Sequence, residues 1–121
     1  MARILLADDD AATRDLIGRV LATEGHDVTV VEDGLAALAH MQTAVTKPVL
    51  LISDVQMPGL DGVALAARAV QAVPALRILL MSGFAGALGN TDHLKPHLRG
   101  VMTKPFTLDI ARAAVRAALA G

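Results

Sequence analysis

Three carboxylates and one lysine follow apolar segments of this chain. Asp54 is the first charged residue after one aliphatic run, and Asp8 and Asp9 follow another. Lys104 follows a third run, far along the chain. If these runs are neighbouring parallel strands, the four side chains meet at the carboxyl edge of one sheet, where such sheets bind ligands. An edge of this composition can bind a divalent cation and a phosphoryl group.

Clustered carboxylates need a proton or a cation. Two unit charges about 4 Å apart repel by roughly 4 kcal/mol at an effective dielectric constant of ~20. A site made only of oxygen ligands favours Mg²⁺, which retains several waters and takes one or two carboxylates. We expect Asp9 and Asp54 to bind the ion directly and Asp8 to act through a water. The backbone carbonyl of Gln56 could complete the protein ligands.

The same residues could carry out phosphoryl transfer. Carboxylates form acyl phosphates, so Asp54 could attack a phosphorus atom. Mg²⁺ and the Lys104 ammonium would then neutralise the phosphoryl oxygens. The hydroxyl of Ser82 could bind the new phosphoryl group or cap the turn that follows. A cis bond between Lys104 and Pro105 would aim the lysine back at the site, and the sequence leaves both isomers open.

The elements that must position these residues alternate between strand-like and helix-like segments. This alternation predicts an α/β fold, with a parallel sheet, right-handed crossovers and helices on both faces. The second strand is slightly polar and is expected at a sheet edge. Asp10 and Thr107 are the expected N-caps of the first and last helices. The predicted strands are 4–7, 28–31, 49–53, 77–81 and 100–103, and the predicted helices are 11–23, 34–44, 63–73 and 107–120.

Residues 85–99 do not fit this alternation. A fourth helix is due there, but the segment contains Gly86, Gly89 and Pro96. Inside a helix, Gly costs about 1 kcal/mol and Pro about 3 kcal/mol relative to Ala. We therefore expect a short, late or mobile helix. His93 and His97 could form a metal pair on a helix, but the poor helix and the lack of a third ligand favour solvated side chains.

The bulk composition argues against several classes of protein. With 121 residues, the chain is sized for one domain, expected to span 1–121. Only 2% of residues are aromatic and the net charge is -1, which argues against nucleic-acid or anionic-membrane partners. There are no cysteines, and no apolar run approaches the ~20 residues of a membrane span. We expect a cytoplasmic protein.

Four motifs carry a resemblance to a known family. They are Leu5-Leu6-Ala7-Asp8-Asp9, Ser53-Asp54-Val55-Gln56-Met57-Pro58-Gly59-Leu60-Asp61-Gly62, Met81-Ser82-Gly83 and Lys104-Pro105-Phe106. In order and spacing these motifs resemble those of the receiver domain of two-component response regulators, and the similarity covers essentially the whole chain. The resemblance implies a flavodoxin-like fold, with five parallel strands in the order 2-1-3-4-5 and no output domain. It also implies a signalling switch, in which a histidine kinase or histidine phosphotransfer protein phosphorylates Asp54 with Mg²⁺.

Within that family, the Gly83-Phe84-Ala85 segment resembles the CpdR-type single-domain regulators of alphaproteobacteria, which control the substrates that reach the ClpXP protease. One departure is Val101, because receivers often carry Tyr or Phe three residues before the site lysine. An aromatic-rotation switch is therefore unavailable there, and Phe84 is the nearest aromatic candidate for that role. We expect phosphorylation to order or shift residues 85–99 instead.

Two other functions remain open. Asp8 and Asp10 form an Asp-x-Asp pattern after the first strand, as in haloacid-dehalogenase-like phosphatases, where Asp8 would be the nucleophile. Alternatively, the chain is a receiver fragment of a hybrid kinase or larger regulator. The protein is expected to be a monomer or weak dimer. The small side chains of the last helix, around Ala113 and Ala117, could dock a partner or a second copy.

Overall fold

The computed structural model describes residues 1–121, with the exception of the Ala85 side chain. Five parallel strands form one sheet in the order β2-β1-β3-β4-β5, with β2 at an edge, which confirms the predicted flavodoxin-like α/β fold. The strands are β1 (Arg3–Ala7), β2 (Asp27–Val31), β3 (Leu50–Asp54), β4 (Arg77–Ser82) and β5 (Leu98–Thr103), and the helices are α1 (Ala11–Thr23), α2 (Gly34–Thr43), α3 (Gly62–Ala72) and α4 (Leu108–Leu119).

The sheet separates two aliphatic cores, because successive strand residues face opposite sides. Leu5 and Leu51 pack on one face with residues of α2 and α3. Leu6 and Ile52 pack on the other face with residues of α1 and α4. Every residue of β3 is buried, as expected for a central parallel strand covered on both faces. This strand is therefore a rigid support for Asp54 at its end.

The helices begin near the carboxyl edge of the sheet, and polar side chains cap them. The carboxylate of Asp10 accepts the Thr13 N–H at the start of α1, and the Thr107 hydroxyl accepts the Ile110 N–H at the start of α4. Both caps match the sequence prediction. Asp61 caps α3 in the same way, which fixes the end of the loop that follows Asp54.

The segment between β4 and β5 agrees with the prediction only in part. Two short 3₁₀ helices, Ala85–Leu88 and Asp92–Leu94, lie where the sequence predicts a short, late or mobile helix. Gly89 lies between them with a φ of 63°, a left-handed conformation that suits glycine and ends the first turn. The expected α-helix is absent from the described segment because its glycines and proline disfavour helix propagation. A groove of about 440 Å³ separates this segment from the start of α3.

One polar expectation needs correction. His97 is expected to be solvated, but it is partly buried, and its Nδ1 lies 3.1 Å from the Leu76 carbonyl oxygen. Arg116 is exposed and donates to Glu24 Oε1 at 2.6 Å, which links α4 to the end of α1. The sequence does not predict either contact, because each partner is remote along the chain. In the described part of the chain, none of the helices is long and apolar enough to cross a bilayer.

Candidate functional site

Asp8, Asp9 and Asp54 meet at the carboxyl edge of the sheet. The cause is the register of the two central strands, which pairs Ala7 of β1 with Ser53 of β3. One carboxylate oxygen from each aspartate lies within 4.8 Å of the others. Asp8 is fully buried, Asp54 is 7% exposed, and Asp9 faces solvent. The cluster therefore has two fixed carboxylates and one accessible carboxylate.

Lys104 reaches this cluster from the end of β5. Its Nζ atom donates to Asp8 Oδ2 and to Asp54 Oδ2, at 2.9 Å in each case. The backbone N–H of Lys104 also donates to the Ser82 backbone carbonyl at 2.7 Å, and this hydrogen bond connects the end of β5 to β4. The Lys104–Pro105 bond is cis. The predicted lysine thus contacts two of the three predicted carboxylates.

Burial and pairing set the protonation of the site. Burial raises the pKa of Asp8, although the Asp10 N–H and the Lys104 ammonium partly oppose that rise. Burial alone would lower the pKa of Lys104, but the contacts with Asp8 and Asp54 outweigh it and raise that pKa. The lysine therefore stays charged beside the carboxylates at neutral pH.

The donor set fits Mg²⁺. All the ligand atoms in the cluster are carboxylate oxygens, the type that this hard cation prefers. The resemblance to receiver domains implies the same ion. The Oδ1 atom of Asp54 also accepts the Gln56 N–H at 3.2 Å, so Gln56 contacts the phosphoacceptor candidate through its amide. A metal contact from the Gln56 carbonyl stays a prediction.

Ser82 lies at the end of β4, and its hydroxyl has a partner away from the carboxylates. The Oγ atom donates to the Phe84 carbonyl at 2.7 Å, which is the turn-capping alternative that the sequence left open. A phosphoryl contact from Ser82 would therefore require this hydroxyl to rotate.

Two other residues singled out in the sequence lie at the surface. The side chain of Phe84 is 56% exposed and that of Val101 is 41% exposed.

Sequence reasoning missed two residues that contact the Asp54 backbone. Ser53 is fully buried, and its hydroxyl donates to the Asp54 carbonyl at 2.9 Å. Gly62 begins α3 so close to the same carbonyl that a Cβ atom there would lie 2.2 Å from the oxygen. In the sequence, the Asp61-Gly62 pair is typical of a turn that leads into a helix, and it gives no sign of contact with Asp54. The glycine directly after an N-cap was the available signal.

A flavodoxin-like sheet with an acidic cluster and a lysine at its carboxyl edge is the arrangement found in receiver domains, which act as signalling switches. The chain belongs to the response regulator receiver domain family, whose family model matches residues 4–116. It is 38% identical over 108 residues to the response regulator receiver protein CpdR of Brucella abortus, covering 89% of this chain and 88% of that protein.

Two further comparisons agree with this family. The chain is 32% identical to the DNA-binding transcriptional regulator NtrC of Salmonella typhimurium over 96% of its length, but it spans only 24% of that protein. A CheY-like receiver domain from Methanospirillum hungatei superimposes with a TM-score of 0.85 at 22% identity, covering 96% of this chain and 91% of that one, and shows the shared fold. Members of the family interact with histidine kinases or phosphotransfer proteins.

Proposed function

We propose that the chain is a phosphorelay switch in which Asp54 accepts a phosphoryl group from a phosphohistidine. The observation that carries this proposal is the Lys104 ammonium, which contacts Asp54 at 2.9 Å while Asp54 itself ends the central strand. An oxygen of Asp54 attacks phosphorus, the phosphorus–nitrogen bond of the donor breaks, and the histidine imidazole leaves as its nitrogen takes a proton. The product is an aspartyl phosphate.

The neighbouring residues have distinct parts in this reaction. Asp8, Asp9 and Asp54 would hold Mg²⁺, which supplies positive charge to the transferring phosphoryl oxygens. The Lys104 ammonium stabilises the same developing charge from the protein side. After transfer, the Ser82 hydroxyl rotates from the Phe84 carbonyl to the phosphoryl group. The chain's own chemistry is then limited to accepting this group and slowly hydrolysing it.

The phosphodonor docks beside Lys104 in this proposal. A groove of about 400 Å³ lies there, between α1 and the loop that follows β5. Leu16 on α1 is 43% exposed at its wall, an apolar surface that a partner can cover. The lining residues are Thr13, Leu16, Lys104, Pro105 and Phe106. A histidine on a helix seated in this groove would approach Asp54 from the open side of the cluster.

The downstream output is a change in protein contacts. The similarity to CpdR over most of both chains favours a CpdR-type role, in which phosphorylation controls which substrates reach ClpXP. The receiver of a larger regulator or hybrid kinase is the second candidate, favoured by the similarity to one part of NtrC. Under either candidate the phosphorylation chemistry is the same, and the protein is a cytoplasmic monomer or weak dimer.

The phosphatase alternative has less support. Its nucleophile would be Asp8, whose carboxylate is fully buried, whereas Asp54 is 7% exposed and therefore more accessible to a phosphoryl donor. Steady turnover of p-nitrophenyl phosphate that is lost in Asp8→Asn and retained in Asp54→Asn would favour the phosphatase.

Intact-mass spectrometry tests the proposal. The wild type and Asp54→Asn are incubated with acetyl phosphate, with and without Mg²⁺. We expect a single phosphoryl adduct on the wild type that requires Mg²⁺ and is absent from Asp54→Asn. An unmodified wild type, under conditions where an established receiver is modified, would refute the proposal.

A further inference from the structure

The backbone carbonyl of Asp54 is enclosed on two sides. The Ser53 hydroxyl donates to its oxygen at 2.9 Å. On another side lies Gly62, where an added Cβ atom would be 2.2 Å from the oxygen and 2.9 Å from the carbonyl carbon. The same Cβ would be 2.9 Å from the Val55 Cα atom. These distances are far below ordinary contact, and the atoms that would be displaced are backbone atoms.

Position 62 therefore requires a glycine, because any side chain there would clash with the backbone of Asp54 and Val55. Its φ lies outside the left-handed region, so conformational freedom does not explain a glycine there. The Gly62 N–H donates to the Val55 carbonyl at 2.8 Å, and Asp61 caps the helix that starts at Gly62. The start of α3 is thus seated on the backbone that connects Asp54 to Val55.

That backbone also determines where the Asp54 carboxylate points. The Val55 N–H donates to the Met81 carbonyl of β4 at 2.8 Å. The Gln56 N–H donates to Asp54 Oδ1 at 3.2 Å, and Lys104 binds Asp54 Oδ2 at 2.9 Å. A shift of the peptide bond between residues 54 and 55 would move the carboxylate relative to both donors.

We propose that Gly62 and Ser53 are positioning residues for the phosphoacceptor. They hold the Asp54 carbonyl, and through it the direction of the carboxylate, without contacting the transferring group. The inference rests on the proposed function, because Asp54 is the nucleophile there. A misplacement of about 1 Å at a reacting group can lower a rate roughly 100-fold. A methyl group forced against the Asp54 carbonyl would cause a displacement on that scale or somewhat below it.

The test measures the phosphorylation rate constant of Gly62→Ala, Ser53→Ala and a matched control, with acetyl phosphate and Mg²⁺. Gly18→Ala on α1 is the control, because a Cβ there meets only Val30 Cγ2 at an ordinary 3.6 Å. We expect a decrease of about 10- to 100-fold for Gly62→Ala, on the scale of a misplaced reacting group. Loss of one neutral hydrogen bond in Ser53→Ala predicts a decrease of about fivefold. Gly18→Ala should match the wild type.

A second readout separates positioning from folding. In Mg²⁺-free protein, the amide resonance of Gln56 reports its hydrogen bond to Asp54, and it should shift in Gly62→Ala and Ser53→Ala but not in Gly18→Ala. Sucrose favours the folded state and would restore a rate lost through unfolding, but not one lost through misplacement. The inference would be overturned if the two variants were phosphorylated at the wild-type rate, if sucrose restored their rates, or if their Gln56 amide resonance did not shift. If Gly62→Ala does not fold, the rate and the Gln56 resonance of Ser53→Ala decide between these outcomes.

The two proposals fail in different ways. If wild type and all variants lack phosphorylation, the proposed function is wrong, and the Gln56 resonance still tests whether Gly62 and Ser53 orient the Asp54 carboxylate. If the wild type is phosphorylated and both positioning variants equal it, the inference alone is wrong.

Discussion

The hydroxyl of Ser82 donates a hydrogen bond to the backbone carbonyl oxygen of Phe84, at 2.7 Å. That carbonyl also accepts the Ala87 N–H at 3.1 Å, the bond that closes the first 3₁₀ turn after β4. Rotation of the hydroxyl toward a phosphoryl group on Asp54 would remove one of these two donors. Ser82 therefore links the candidate site to the segment that replaces a regular helix.

Ser82→Ala tests this link. We expect the variant to accept a phosphoryl group on Asp54, because Lys104 and the carboxylates are unchanged. Without the hydroxyl, phosphorylation should no longer alter amide hydrogen exchange in residues 84–88. In the wild type, a phosphoryl mimic should change exchange in this region. Equal responses to the mimic in the variant and the wild type would show that the signal travels by another route.

Asp8→Asn should stabilise the protein at neutral pH. Burial raises the pKa of Asp8, so the folded state binds this proton more tightly than the unfolded state does. The ionised carboxylate then costs stability, and the cost grows as pH rises from about 3.9, the ordinary value, through the raised folded pKa. Urea unfolding without Mg²⁺ should give a higher free energy for the variant at pH 7, and a much smaller difference near pH 3. A less stable variant at pH 7 would contradict the argument.

Lys104→Met should separate metal binding from phosphorylation. The ammonium lies 2.9 Å from two of the carboxylates, so removing its charge should strengthen Mg²⁺ binding measured by titration calorimetry. The same change removes one electrostatic stabiliser of the transferring group and should slow phosphorylation by about 100-fold. Weaker Mg²⁺ binding, or an unchanged rate, would show that Lys104 does not act on the cluster in this way.

The docking groove is tested with two exposed leucines. Leu16→Asp places a charge in the apolar wall of the groove and should reduce phosphotransfer from a histidine kinase about tenfold, the effect of losing a contact worth somewhat over 1 kcal/mol. Phosphorylation by acetyl phosphate should be unchanged. Leu35→Asp is the control, because Leu35 is 61% exposed on α2 and does not line the groove. Equal kinase rates for both variants would place the docking surface elsewhere.

The sequence predicts the central features of the fold and site because these depend on local patterns. Aliphatic runs that end in Asp8 and Asp54 specify buried parallel strands, and the run before Lys104 forms a parallel edge strand. Parallel strands bring their carboxyl ends to one edge. The caps at Asp10 and Thr107 involve residues three positions away, which are visible in sequence.

The features that the sequence could not predict depend on distances between remote segments. The close approach of Gly62 to the Asp54 carbonyl follows from how deeply α3 is seated on β3. The pairing of Arg116 with Glu24 joins residues 92 positions apart. The Ser82 hydroxyl can reach either a phosphoryl group or the Phe84 carbonyl by rotating. Because serine suits both partners, its presence in the sequence does not tell which one it binds.

The measurement that tests the central claim most directly is the location of the phosphoryl group. The phosphorylated protein is treated with borohydride, which reduces an aspartyl phosphate to homoserine, and its peptides are sequenced by mass spectrometry. The proposed function predicts homoserine at position 54 alone, and none when Mg²⁺ is omitted from the phosphorylation. Homoserine at position 8, or at neither position in a protein that carries the adduct, would contradict the assignment of Asp54 as the phosphoacceptor.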